Sequence, residues 1–127
     1  MGQTLSDRRT KSKTVIVVDD EQDHVDMTVL LLESAGHSAY GATDGLAGLK
    51  LAIETKADVV VLDFAMPVMN GAGVGKMLRE DPATRQTKIL MYSSTPEVWI
   101  RSSFSDYDGY LSKAAHPMEM LQAVGRL

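Results

Sequence analysis

The sequence predicts an α/β domain, a parallel β-sheet with helices packed on both of its faces. Strand-like and helix-like hydrophobic patterns alternate along the chain, as they do where a helical crossover returns each strand to the same sheet. Two of the strand segments, residues 15–18 and 59–62, are apolar at every position instead of every second one and are rich in valine. That is the pattern of a strand buried on both faces. Acidic residues follow both runs directly, Asp19-Asp20 after the first and Asp63 after the second.

The elements follow in order. After residues 15–18, Val25, Leu30, Leu31 and Leu32 mark a helix, and Gly36 supplies its stop. A short strand is expected over 38–42, then a helix carried by Leu46, Leu49, Leu51, Ala52 and Ile53. The strand at 59–62 ends at Asp63 and leads into Met66-Pro67-Val68-Met69-Asn70-Gly71, a loop with proline and Asn-Gly turn chemistry. A third helix should run to about Asp81, because Pro82 drives the residue before it out of the helical region. Residues 89–92 read as a strand, 97–104 as a short helix, 110–112 as the last strand and 118–124 as a closing helix.

A chain of 127 residues fits one compact domain. It has no cysteine, which excludes disulfides, thiolate metal sites and cysteine nucleophiles together. Its apolar runs are far shorter than a bilayer requires, and no secretory apolar stretch opens it. A cytoplasmic protein without a membrane partner is therefore expected. The net charge of −4 is uneven: residues 1–13 carry Arg8, Arg9, Lys11 and Lys13 against Asp7, a balance of +3 that leaves −7 for the remainder. Residues 1–12 are read as a flexible basic tail and 13–127 as the domain. The acidic body lacks the basic stripe of a nucleic-acid face, so no direct nucleic-acid contact is expected.

In an open parallel sheet, ligands sit beyond the carboxyl ends of the strands. The chemistry-bearing residues fall there: Asp19 and Asp20, Asp63, Ser93 and Ser94, and Lys113. Each alone is weak, since acidic pairs often only open a helix. Together they make a coherent set. Three close carboxylates repel one another, and a hard cation such as Mg²⁺, which takes oxygen ligands, relieves that repulsion. A carboxylate nucleophile that receives a phosphoryl group becomes an acyl phosphate. The transferred oxygens then need fixed cations and donors, which Lys113, Ser93 and a Mg²⁺ held by Asp20 and Asp63 would supply.

Val-Val-Asp-Asp-Glu at 17–21, Leu-Asp-Phe-Ala-Met-Pro at 62–67 with Asn70-Gly71, Ser93, and Tyr-Leu-Ser-Lys at 110–113 resemble the response-regulator receiver domains of two-component signalling. The resemblance covers about residues 13–127. It implies a flavodoxin-like (βα)5 doubly wound sandwich with strand order 2-1-3-4-5. It further implies Asp63 as phosphoacceptor and Asp20 as direct Mg²⁺ ligand, with Asp19 acting through a metal-bound water and Ala65 through its backbone carbonyl. Ser93 and Lys113 would stabilise the phosphoryl group, and Ser93 and Tyr110 would form the switch.

The function so implied is a stand-alone, Mg²⁺-dependent phosphorylation switch, not a turnover enzyme. A sensor histidine kinase or phosphotransfer protein would be the donor. A downstream protein would bind the face formed by helix four, strand five and helix five, with homodimerisation on phosphorylation left open. No output domain is expected after the fifth helix. Val98, Trp99, Ile100 and Phe104 lie on the fourth helix, and three consecutive apolar residues cannot all face one core, so at least one should be exposed there. Met118 and Met120 could line the same face.

The chain departs from the family pattern at Ala114, where such domains usually carry a cis-proline; either the loop is trans or it holds local strain. The segment between Ser93 and Lys113 is short, so the fourth helix should be short. These departures leave room for a second reading, a phosphorylation-independent pseudo-receiver that acts as a docking module. An aspartate-nucleophile phosphatase needs an acid two residues after the nucleophile, and Ala65 stands there. His24, His37 and His116 read as surface or capping residues outside the strand-end set.

Overall fold

The computed structural model describes residues 11–127. Five parallel strands run in the order β2-β1-β3-β4-β5, as the resemblance implies. They are β1 (Thr14–Val18), β2 (Ser38–Ala42), β3 (Val59–Leu62), β4 (Lys88–Ser93) and β5 (Gly109–Ser112). The helices are α1 (Gln22–Ser34), α2 (Gly45–Thr55), α3 (Gly71–Glu80), α4 (Glu97–Ser103) and α5 (Pro117–Arg126). Every expected element is present. The expected basic tail falls largely on residues 1–10, outside the described residues.

The all-apolar strands are explained by two cores. Ile16, Val18, Val60, Leu62, Ile89 and Met91 point to one face, where they pack with Ala52, Val74, Leu78, Ile100 and Phe104. Val15, Val17, Val59, Val61 and Leu90 point to the other, against Val25, Leu32, Met120 and Val124. Alternate residues thus serve opposite cores, and each fully buried aliphatic side chain contributes roughly 1.5–3 kcal/mol. On the helices the apolar stripe is narrower than the sequence reading. Leu32 is buried while Leu30 is exposed, and Leu46 is exposed beyond Ala52, because successive helical residues turn away from any one face.

Helix ends follow local chemistry. Gly36 takes φ +93° just after α1, a backbone conformation that glycine adopts without penalty. The Asp44 carboxylate accepts the Ala47 N–H at 2.8 Å to start α2, and Asn70 Oδ1 accepts the Gly73 N–H at 3.1 Å to start α3. At Asp81, before Pro82, the backbone is extended and α3 stops. His116 and Glu119 form a reciprocal capping box on α5, so the capping role expected of a histidine is met there.

Candidate functional site

The parallel register brings the strand ends level. Val18 pairs with Leu62, Leu62 with Met91, and Ser93 with Ser112. The residues that follow or end these strands therefore meet on one rim. The Asp63 N–H donates to Val18 O at 2.9 Å and the Asp19 N–H to Ala42 O at 3.1 Å, so both aspartates continue the sheet's backbone pairing. Asp19, Asp63 and Ser93 are buried, whereas Asp20 is exposed. Each of the three aspartates offers a carboxylate oxygen, and these oxygens lie within 4.8 Å of one another.

Lys113 follows β5, and its N–H donates to Ser93 O at 3.1 Å. Its Nζ reaches Asp19 Oδ2 at 2.7 Å and Asp63 Oδ2 at 3.2 Å. Asp19 Oδ1 also accepts the Glu21 N–H at 3.0 Å. Burial pushes the Asp63 carboxyl above its ordinary pKa; Lys113 opposes the shift and Asp19 adds to it. For Lys113, burial pulls the pKa down. The Asp19 hydrogen bond and the charges of both aspartates outweigh that effect and raise it overall. The ammonium group thus sits as a fixed cation among excess carboxylates.

The loop after Asp63 is held close by Gly71. Its N–H donates to Phe64 O at 2.7 Å, and a Cβ at this position would fall 2.6 Å from Asp63 O. No side chain fits there without moving the phosphoacceptor candidate's backbone. In the same loop the Met69 N–H donates to Pro67 O at 2.8 Å around Val68, which has φ +69°. A γ-turn of this hand is strained, and a β-branched residue at positive φ is an outlier. Ala65 is exposed and contributes no side-chain donor.

Ser93 Oγ accepts the Thr95 N–H at 3.1 Å, while Tyr110 Oη donates to Thr95 O at 2.9 Å. Both expected switch residues therefore hold one residue of the β4–α4 loop. The Lys113–Ala114 bond is trans, since no peptide bond among the described residues is cis. The α4 helix is short, as expected, at seven residues. Ile100 on it and Phe104 directly after it are buried, whereas Val98 and Trp99 are about 70% exposed. Met118 is exposed and Met120 is core.

The sequence reading missed His24. It lies beside the rim, not apart from it, with Nδ1 3.0 Å from Asp19 Oδ2 and its ring 5.4 Å from that of Tyr92. The approach is out of line for a hydrogen bond, and the buried Nδ1 has no hydrogen-bond partner. The available signal was position: His24 is in the first turn of the helix that starts directly after Asp19-Asp20, four residues before buried Thr28. His37, expected as a surface or capping residue, is buried, and its Nδ1 accepts the Lys13 N–H at 3.0 Å.

Comparison with known proteins agrees with this geometry. Residues 15–125 match the family model of the response regulator receiver domain. The chain is similar to the DNA-binding dual master transcriptional regulator RpaA of Synechocystis, 31% identical over 115 residues that make up 89% of this chain and 48% of that protein. It is also similar to the alkaline phosphatase synthesis transcriptional regulatory protein PhoP of Bacillus subtilis, 32% identical over 86% of this chain and 45% of that one. The chain spans about half the length of the curated relatives it matches. Relatives named as DNA-binding do not fit the expectation of no direct nucleic-acid contact, which rested on the charge of this chain alone. Among solved structures, the chemotaxis protein CheY4 of Vibrio cholerae superimposes with a TM-score of 0.82 at 30% identity, over 91% of this chain and 98% of that one.

Proposed function

The chain belongs to the response-regulator receiver family, and from that premise we propose that it is a phosphorylation switch whose acceptor is Asp63. The observation that carries this reading is the placement of a buried carboxylate between two other aspartates and the Lys113 ammonium, 3.2 Å away. The three carboxylates fit a hard divalent cation. Asp19, Asp20, Asp63 and the Ala65 carbonyl would hold Mg²⁺ there, where it would supply charge neutralisation for the oxygens of the transferring group.

The chain's own residues account for the rest. An Asp63 carboxylate oxygen attacks the phosphorus of a phosphohistidine on a histidine kinase or phosphotransfer protein. The O–P bond forms as the N–P bond breaks, and the imidazole leaves with its electron pair. Lys113 turns from Asp19 to the new phosphoryl oxygens. The Ser93 hydroxyl, whose oxygen already accepts from Thr95, keeps its proton for a phosphoryl oxygen. As Ser93 moves, Thr95 loses that partner, and Tyr110, bonded to the Thr95 carbonyl, follows. The signal thus reaches the α4–β5–α5 face, where Val98 and Trp99 offer apolar contact to a downstream protein. Phosphorylation favours the conformer in which these contacts are made, because the phosphoryl group binds that state better. The protein acts as a phosphoacceptor in the cytoplasm, not as a turnover enzyme.

Intact mass after incubation with acetyl phosphate tests the proposal. One phosphoryl adduct that requires Mg²⁺ and is lost in Asp63→Asn is the expected result. An adduct that persists in Asp63→Asn overturns the assignment of the acceptor.

A further inference from the structure

We propose that His24 is a positioning residue for Asp19: its imidazole Nδ1–H holds the Asp19 carboxylate in place for the cation once Lys113 turns to the phosphoryl group. The inference rests on the receiver reading above and concerns a residue outside the expected site set.

Asp19 needs partners on both of its carboxylate oxygens. Its side chain is almost fully buried, and a buried carboxylate that loses a charged partner is left at considerable cost. Its Oδ1 is occupied by the Glu21 N–H, and its Oδ2 by Lys113 Nζ at 2.7 Å. In the proposed reaction Lys113 is drawn away. Among the described residues, His24 Nδ1 is the other nitrogen close to Oδ2, at 3.0 Å. It is buried and has no hydrogen-bond partner. A buried polar atom in that state is rare and calls for a reason. The distance already suits a hydrogen bond; only the direction is wrong. A modest turn of the Asp19 carboxylate, which Lys113 now restrains, would align the two.

The ring is braced for this task. His24 stands in the first turn of α1, directly after the metal-binding pair, and leans on Tyr92 at 5.4 Å. A donor fixed behind a carboxylate that orients a metal-bound water sets the direction of that water, and loss of such an outer partner typically weakens metal binding about 10–100-fold. His24 touches no reacting atom, so its effect passes entirely through Asp19.

The test compares Mg²⁺ affinity, by titration of the whole chain in the presence of beryllofluoride, a phosphoryl analogue that draws Lys113 away from Asp19, in wild type, His24→Phe and His24→Gln. Phenylalanine keeps the ring against Tyr92 and removes the nitrogen; glutamine keeps a donor. About tenfold weaker binding in His24→Phe, largely restored in His24→Gln, is the expected result. In nitrogen-15 spectra of wild type with Mg²⁺ and beryllofluoride bound, the His24 proton should reside on Nδ1 and be protected from exchange. Unchanged affinity in His24→Phe overturns the inference. A loss that glutamine does not restore, with the proton on Nε2 alone, also overturns it by reducing the role to packing. Wild type that binds no Mg²⁺ overturns the proposed Mg²⁺-dependent phosphorylation switch and the inference with it, an outcome distinct from either.

Discussion

At the rim where the strands begin, Arg79 donates to the carbonyls of Asp106, Arg85 and Thr87 and to Asp108 Oδ2. Asp108 Oδ2 also takes the Ile89 N–H at 2.8 Å, and Asp58 Oδ2 takes the Thr14 N–H at 2.8 Å. At the opposite rim, Asp19, Asp20 and Asp63 crowd together around the single ammonium of Lys113. The same sheet thus ends in a satisfied polar network on one side and in excess negative charge on the other. The first arrangement holds β4, β5 and α3 together and needs nothing more. The second carries unbalanced negative charge, and a bound cation would offset it.

The largest stability effect should come from the satisfied rim. Arg79→Ala removes the guanidinium from three carbonyls and from Asp108, which keeps the Ile89 N–H, and should cost about 3 kcal/mol. Urea unfolding should give the same loss with and without Mg²⁺. Lys113→Ala should behave differently. Without metal it should cost about 2 kcal/mol, since among the described residues Lys113 is the lysine or arginine paired with these carboxylates; with saturating Mg²⁺ most of the stability should return, because binding favours the folded state. Equal losses in both conditions would dissolve the contrast between the rims.

Asp63→Asn should act in the opposite direction. The folded pKa of Asp63 lies above its ordinary 3.8, with burial the first cause. The folded protein therefore holds this proton more tightly than the unfolded chain. The resulting penalty is absent well below 3.8, grows as pH rises through the elevated value, and is complete once the group is ionised in both states. In metal-free buffer at neutral pH the variant should be more stable by about 1 kcal/mol, and the gain should vanish in acid. Thermal unfolding across pH measures both.

The smallest effect concerns Val68. Its positive φ carries strain of about 1–2 kcal/mol in a β-branched residue, offset in glycine by about 0.5–1 kcal/mol of added chain entropy. Val68 is fully exposed, so Val68→Gly removes no burial and should stabilise the protein by about 0.5 kcal/mol. Denaturant midpoints resolve a shift of that size. A destabilised variant would place Val68 among the residues that the loop requires.

Local sequence was a sufficient guide wherever one residue's chemistry fixes its own surroundings. The valine-rich runs at 15–18 and 59–62 specify strands covered on both faces. Gly36, Asn70 and Pro82 mark ends through backbone preferences that hold in any context. Asp19, Asp20, Asp63, Ser93 and Lys113 were legible as a set because they stand at strand ends, and a parallel sheet aligns those ends. What the sequence did not contain was the distance between elements. That Leu30 faces water while Leu32 is core depends on the roll of α1 against the sheet. That Arg79 gathers carbonyls from residues 6 to 27 positions away depends on how α3 meets the loops before β4 and β5. His24 lies beside Asp19, though it reads as a surface residue, because the first turn of α1 folds back over the end of β1. Backbone preference and hydrophobic period act between near neighbours and survive in a one-dimensional record, whereas the meeting of side chains across elements is decided only when the two cores close.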